Sequence, residues 1–471
     1  MNKINFLYFT LPSLFNVFIG IGLLPFYTEI LGPEDYGLIA IFTVILGLVL
    51  SLSDTGAGWV LAANFHRDTM DLREINFQLI FSSFILKAFL ISFFYFFGQQ
   101  IVTLVGQNYQ DVGLIYNIIV LSFIFTLFDS VALTYMIFNE AAKIHMFSQI
   151  TSALLFNLTV YVSLFSFNLG AISLANGLLV SRIFLSIYFL LYMLNKIKIS
   201  FGKNIFYEIK TVGFPAVLKS TTTYMLGNVD KMFLQQLTSV SALGLYDFST
   251  RFRGLHDTVS KSFSRVYGAY FYKIYENLDY KEHIKISNIW LGLNFLLSLS
   301  VFFFIDNLVD VLTNGKFNEA SLFVQLFFVS TIVNSHCLFY GLVLVAERQT
   351  IFITKTSIWI GILSSVSMFF AIYFFGPIGT LYVLNIASLS LLLTYIIRVK
   401  KLAGIIFNNF LLVCYLFIAV VLLIFRNFAF NRILVMEEFV ILVTIYIVIA
   451  IPIFRISYRN INIDLFFKKT G

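Results

Sequence analysis

Between Tyr246 and Tyr270 the chain reads YDFSTRFRGLHDTVSKSFSRVYGAY, and this stretch holds the residues best suited to chemistry. It carries Asp247, Arg251, Arg253, His256, Asp257, Lys261 and Arg265, and no proline. The spacing predicts a helix. At about 100° per residue, Asp247, Arg251, Thr258, Ser262 and Arg265 share one face with Gly254 and Leu255, and Lys261 lies at its edge. Arginine forks match phosphate oxygens in pairs, and a low-dielectric surround strengthens each contact, so one reading of this face is an anion-binding wall. The other is a cytoplasmic extension of the helix, in which Lys261 and Arg265 hold lipid headgroups. Arg251 lies too near the start of the helix to fit the second reading. Asp247 and Arg251 stand four residues apart, the spacing at which two charges on one helix neutralise each other.

The elements that must position these charges are apolar. Of 471 residues, 59% are hydrophobic and 12% charged, and 57 are Phe. A soluble domain carries about a quarter charged residues. Uncharged runs of helix-spanning length recur along the whole chain, which makes it an all-α polytopic membrane protein. Fourteen spans are expected, near 6–27, 37–65, 76–97, 113–138, 145–166, 170–193, 212–236, 244–270, 286–305, 320–345, 352–374, 377–397, 404–425 and 433–454. The apolar run after Lys3 is long for a signal peptide and has no small-residue cleavage site, so it reads as the first span. Cys337 and Cys414 both lie in apolar runs, and no disulfide framework is expected.

Lys and Arg order the spans. With the N-terminus inside, twenty of them fall in inside segments and three in outside loops, Lys316, Arg426 and Arg432. Both termini are therefore expected in the cytoplasm. The net charge of +7 follows from this bias and does not call for a nucleic-acid partner.

The eight other cations fall within spans: Lys87, Arg182, Lys219, Lys231, Arg251, Arg253, Lys261 and Arg265. A charge at mid-bilayer costs several kcal/mol even on the mildest scale (about 2.5–3.5), so these residues line a wet cavity or form ion pairs. Lys87 and Arg182 are near mid-span, and either reach a substrate or pair with Asp54 or Asp129. Asp230 and Lys231 are adjacent, so their side chains diverge by about 100° and one of them, Asp230 by preference, faces the cavity. Asp54, Asp129, Asp230 and Asp247 are candidate ion-pair acids or coupling-ion sites.

Internal repetition fits two halves of six spans. Gly37 and Gly244 are 207 residues apart, as are Glu140 and Glu347; Pro12 and Pro215 are separated by 203. Asn168-Leu-Gly170-Ala-Ile172 parallels Phe375-Gly376-Pro-Ile-Gly379. The expected organisation is an N-lobe over 1–194, a cytoplasmic linker over 195–211, a C-lobe over 212–400, and two added spans with a tail over 401–471. Two lobes in one orientation place a cavity between them. The added spans, with Glu437 and Glu438 as their charges, read as packing or a lipid groove.

There is no P-loop, H-E-x-x-H, nucleophile elbow or C-x-x-C. The five histidines are scattered, no metal ligand set or cofactor motif stands out, and the longest loops are under twenty residues. An enzyme is not expected; transport is.

Leu31-Gly-Pro-Glu-Asp-Tyr-Gly37, preceded by Leu11-Pro12 and followed by Leu52-Ser-Asp-Thr-Gly56, resembles the polysaccharide flippases of the Wzx type. These belong to the multidrug/oligosaccharidyl-lipid/polysaccharide exporter superfamily. Gly213-Phe-Pro215, Asn228-Val-Asp230-Lys231 and Leu243-Gly-Leu-Tyr246 resemble the start of that family's second lobe, and the likeness covers about residues 5 to 400. The resemblance implies two six-helix lobes forming a V around a central cavity, and flipping of an undecaprenyl-diphosphate-linked oligosaccharide from the cytoplasmic to the outer leaflet of a bacterial inner membrane, by alternating access. It implies surface polymers such as O-antigen of lipopolysaccharide, or capsule, as the product. Contacts with membrane lipids, a polysaccharide polymerase and chain-length proteins would follow. It also points to intracavity charges, here Lys87, Arg182, Lys219, Asp230 and Arg251, with Lys261 and Arg265 completing a basic wall suited to a diphosphate.

Three other functions compete. A cation-coupled multidrug antiporter wants an acidic or aromatic cavity, whereas span eight has more bases than acids. A flippase for the peptidoglycan lipid precursor fits the fourteen spans equally well. A non-transporting membrane scaffold would tolerate neutralising Arg251 or Lys87.

Overall fold

The computed structural model describes residues 3–64, 71–98, 112–200, 207–276 and 280–403, with a few isolated positions beyond these. The expected spans at 404–425 and 433–454 lie almost wholly outside the described residues. Fifteen helices make up the described chain. They are α1 (Lys3–Gly22), α2 (Leu24–Ile30), α3 (Pro33–Ser53), α4 (Ala57–Asn64), α5 (Leu72–Phe96), α6 (Val112–Ile124), α7 (Asp129–Phe138), α8 (Ala142–Phe165), α9 (Ile172–Met193), α10 (Phe214–Leu237), α11 (Val240–Glu276), α12 (Tyr280–Thr313), α13 (Ala320–Ala346), α14 (Thr350–Phe375) and α15 (Ile378–Ala403). There is no strand among the described residues.

Each of the first twelve expected spans corresponds to helix. Among the described residues, eight helical segments are long and apolar enough to cross a membrane. Two further spans are bent pairs: α1 and α2 turn by 46°, and α6 and α7 by 44°. α10 and α11 are helical but too polar for the same criterion, which places the most polar helices where span eight carries its charges. α11 runs 37 residues without a break. At 1.5 Å per residue it is about 55 Å long, well beyond the about 30 Å of hydrocarbon.

The chain divides into two compact units, Met1–Arg251 and Phe252–Gly471. In the first, Ala57, Val60, Leu79, Val131, Met136, Leu185, Phe189 and Met193 form a buried cluster. In the second, Tyr267, Phe271, Phe295, Leu299, Ile332, Phe339 and Val343 are the centre of another. Lipid tails are as apolar as these side chains, so close packing and interhelical hydrogen bonds hold such helices together, not exclusion from water. Phe and Trp on α14 do the opposite job: Trp359, Phe374 and Phe375 are exposed, as expected for lipid-facing bulk.

Close approach is visible where α3 meets α11. A Cβ on Gly37 would collide with the Val240 carbonyl, and one on Gly244 with that of Pro33. The Leu31–Gly37 motif therefore has a structural use. Pro33 opens α3, the Asp35 carboxylate accepts the Gly32 N–H at 2.8 Å, and Gly37 lets the neighbouring backbone in. Outside the spans, Asp71 caps α5, and the Arg73 backbone N–H at 2.9 Å holds its carboxyl below the usual carboxylate range.

The repeat shows in the turns. Asn139, Glu140 and Ala141 donate backbone N–H groups to Tyr135, Ile137 and Met136; Glu347, Arg348 and Gln349 donate to Val343, Val345 and Leu344. Glu140 and Arg348 share the left-handed conformation, φ 53° and 55°. The equivalence is thus Glu140 with Arg348, one residue beyond the Glu347 pairing expected from identity. Backbone conformation, not residue type, is what recurs. Gly170 and Gly376 likewise have positive φ, 51° and 63°.

Candidate functional site

The first unit brings the sequence-identified charges into two groups. One forms where the fourth span breaks. Between Ile124 and Asp129 the helix is interrupted, and the carbonyls at the end of α6 have no α-helical donors. Lys87, from the middle of α5 and 7% exposed, donates to the Thr126 carbonyl at 2.6 Å and approaches its Oγ1 at 3.3 Å. The ammonium thus sits at the negative end of α6. Asp129 is the first residue of α7, where a carboxylate suits the helix dipole, and its Oδ2 accepts from Arg182 of α9 at 2.8 Å. Asp54 precedes Thr55, whose Oγ1 lies 2.9 Å from the Oγ of Ser83, one turn before Lys87 on α5. One buried carboxylate oxygen each on Asp54 and Asp129 has no hydrogen-bond partner. The question left open for Lys87 and Arg182 resolves in part: Arg182 pairs with Asp129, and Lys87 is held by a helix end.

The second group lies where α10 and α11 face α3. Asp247 forms its ion pair with Lys231 at 2.5 Å. This corrects the expectation that Asp247 neutralises Arg251 along the helix. The tight α10–α11 hairpin puts Lys231, 16 residues back, closer than the residue one turn on. Asp230 is buried, as its divergence from Lys231 requires, and accepts from the Tyr246 hydroxyl and the Lys231 N–H. Arg251 is left with the ring of Tyr36, its guanidinium carbon 4.6 Å from the centroid. A cation–π contact of this kind contributes about 0.5–2 kcal/mol and leaves the N–H fork available to a ligand. Among the described residues Arg251 has no carboxylate partner. On α10, Tyr224 donates to the Val44 carbonyl at 3.0 Å and ties α10 to α3.

Lys219 lies on α10, and Lys261 and Arg265 on α11; their side chains are outside the described residues. The structure therefore places the predicted residues in distinct groups: Lys87, Asp129 and Arg182, with Asp54 nearby, and Asp230, Asp247 and Arg251. Tyr36, Tyr246, Thr126 and Lys231 complete these groups. Sequence alone gave no signal for the three uncharged ones, since a lone hydroxyl in an apolar helix commonly bonds back to its own turn. The histidines of the second unit are interior: His283 is buried between Tyr267 and Phe271, and His256 is bonded to Asn294.

Comparison with solved structures finds the same architecture in transporters. The lipid II flippase MurJ, in an inward closed conformation, matches with a TM-score of 0.75 at 16% identity, over 96% of this chain and 98% of that one. An inward-facing multidrug resistance MATE family transporter of the MOP superfamily matches at 0.63 and 13% identity, over 86% and 100%. A MATE transporter from Vibrio cholerae, VcmN, matches at 0.52 and 14%, over 85% and 97%. These likenesses establish the fold. No curated protein sequence matches the chain. Residues 28–322, which include both charged groups, match a family described as polysaccharide biosynthesis protein. A multi-pass helical chain of the MOP transporter fold, matched over more than half its length, belongs to that polysaccharide biosynthesis family.

Proposed function

We propose that the protein moves an undecaprenyl-diphosphate-linked oligosaccharide from the cytoplasmic to the outer leaflet of a bacterial inner membrane, as a step in surface polysaccharide assembly, with both chain termini in the cytoplasm. The observation that carries this reading is Arg251. It is a guanidinium on α11 held on an aromatic ring while the neighbouring Lys231 and Asp247 satisfy each other. A fork of that kind binds a diphosphate in the bidentate manner that a lysine does not reproduce. Lys219, Lys261 and Arg265 join it as diphosphate-binding cations, and Asp230 and Asp54 serve as candidate coupling-ion acids. Outward movement of an anion from a negative interior is favoured by about 2.3 kcal/mol per charge per 100 mV.

A second reading shares the chemistry. MurJ matches nearly the full length of both chains, so a lipid II-type precursor is the rival cargo. It too is a diphosphate-linked saccharide on a polyprenyl chain, and the two differ in the glycan.

The test is surface glycan in a deletion strain of the source organism, complemented with wild type, Arg251→Lys or Arg251→Ala at equal expression. The expected outcome is loss of polymer with lipid-linked units accumulating inside. Arg251→Ala restores none of it and Arg251→Lys a part, in keeping with the about tenfold to hundredfold value of a charge-assisted hydrogen bond. Unchanged polymer together with raised susceptibility to cationic drugs would overturn the reading. Arrest of cell-wall synthesis in place of polymer loss would assign the peptidoglycan precursor.

A further inference from the structure

The second polar face of α11 belongs to neither group described above. Arg253, His256, Asp257, Ser260 and Ser264 recur at i, i+3, i+4, i+7 and i+11, one stripe of a helix. With Trp290 of α12 and Asn334 and Ser335 of α13 they line a cavity of about 440 Å³ inside the second unit. That volume falls in the about 300–1,000 Å³ range of small-molecule sites. Asn334 stands near the middle of the 27-residue α13, a depth at which a polar wall cannot face acyl chains. The cavity therefore holds water or a polar ligand.

The wall is close to neutral. Arg253 Nε lies 3.4 Å from Asp257 Oδ2, and the Arg253 guanidinium carbon is 5.4 Å from the Phe327 ring centroid. That pairing makes the pocket a poor phosphate site. What it offers is a mixture of donors and acceptors. The Asn334 amide is exposed and supplies both; Ser335 Oγ spends its proton on the Ile332 carbonyl and keeps an acceptor. Asp257 is partly exposed, with Oδ2 toward Arg253 and Oδ1 3.9 Å from His256 Nδ1, and each carboxylate oxygen has capacity for a second donor. Trp290, 9% exposed and stacked on Phe263 at 3.9 Å, has an indole N–H with no partner. A buried donor left unpaired costs about 1–3 kcal/mol. A ligand whose groups each donate and accept answers this set, and a sugar hydroxyl does both.

We infer that this pocket is a saccharide subsite that takes an uncharged, hydroxyl-rich residue of the transported glycan. The inference rests on the oligosaccharide reading given under Proposed function.

The experiment is equilibrium binding to the full-length protein in detergent with two probes. One is the lipid-linked oligosaccharide extracted from the deletion strain, and the other is undecaprenyl diphosphate without sugar. Wild type is expected to prefer the first. Asp257→Asn and Asn334→Leu should each weaken the oligosaccharide probe about tenfold, the worth of roughly one good hydrogen bond, and leave undecaprenyl diphosphate unchanged. Asp257→Asn keeps the shape of the side chain, so the result does not hang on the fold of the leucine variant. If both variants bind the oligosaccharide probe as wild type does, or lose both probes equally, the subsite is overturned while the flippase reading stands. If wild type binds neither probe better than phosphatidylglycerol, the flippase reading falls and this inference with it.

Discussion

Lys87, Asp129 and Arg182 are held by one another and by a helix end, and this decides what their substitution should do. Removing Arg182 strands a carboxylate that already has one unpartnered oxygen. Arg182→Ala is expected to lower the thermal unfolding temperature in detergent, at a cost of about 1–2 kcal/mol, the upper end for interhelical polar pairs in membranes. Adding Asp129→Ala should recover much of that loss, because the stranded charge goes with it. Additive losses in the double variant would show that the pair is not the unit, and would return Arg182 to the substrate-binding list. Arg251 behaves otherwise: Arg251→Ala should abolish transport at a stability cost of no more than the about 0.5–2 kcal/mol of its ring contact, with no stranded carboxylate for a second substitution to relieve. The sequence offers Asp129 as a partner for Arg182, and the two do pair, but it does not point to Lys231 as the partner of Asp247. A spacing of four residues announces a neighbour on the same helix, whereas Lys231 reaches Asp247 across a hairpin that no local pattern specifies.

At the scale of helices, periodicity and apolar run length place helix in each of the twelve expected spans that the described residues cover, and ten of these are long and apolar enough to cross a membrane if each bent pair is one span. The bends at Leu23 and at Phe125–Phe128 were not legible, because a break in the ladder depends on what caps it. For the second bend the cap is Lys87, about forty residues upstream. The stripe from Arg253 to Ser264 is legible as helical spacing on a face of α11 rotated from the one that carries Arg251 and Arg265. The crossing of α3 and α11 gives a sharper expectation. Gly244→Val and Gly37→Val would drive a side chain into backbone, which cannot yield cheaply, and should cost at least the about 1–3 kcal/mol typical of overpacking. Gly254→Ala, on the same helix with open space around its Cα, should be neutral. Melting temperature and yield of folded protein after solubilisation report the difference. Equal behaviour of the three variants would show that the close approach does not matter.

For the molecule as a whole, the Lys and Arg bias makes a prediction independent of any substrate. In a chain lacking Cys337 and Cys414, Lys316→Cys should react with an impermeant maleimide in intact cells, and Lys198→Cys only after permeabilisation. The reverse pattern would invert the topology and, with it, the proposed direction of transport. Composition and run length made the membrane class and the all-helical fold legible, and short motifs made the family legible. The cargo was not, because a glycan is recognised by side chains gathered from several helices, as in the pocket of Arg253, Trp290 and Asn334.

The glycine crossing has one more consequence. Gly37 meets Val240, and Gly244 meets Pro33; each contact is the other shifted by 207 residues. That reciprocity is the signature of an isologous dimer interface, in which a patch recognises its own copy. A single ancestral repeat bearing this glycine could have paired with itself through the same surface before the two copies were joined in one chain. The crossing would then be inherited from a homodimer, and a chain cut back to one repeat should still carry half of a dimer's handshake.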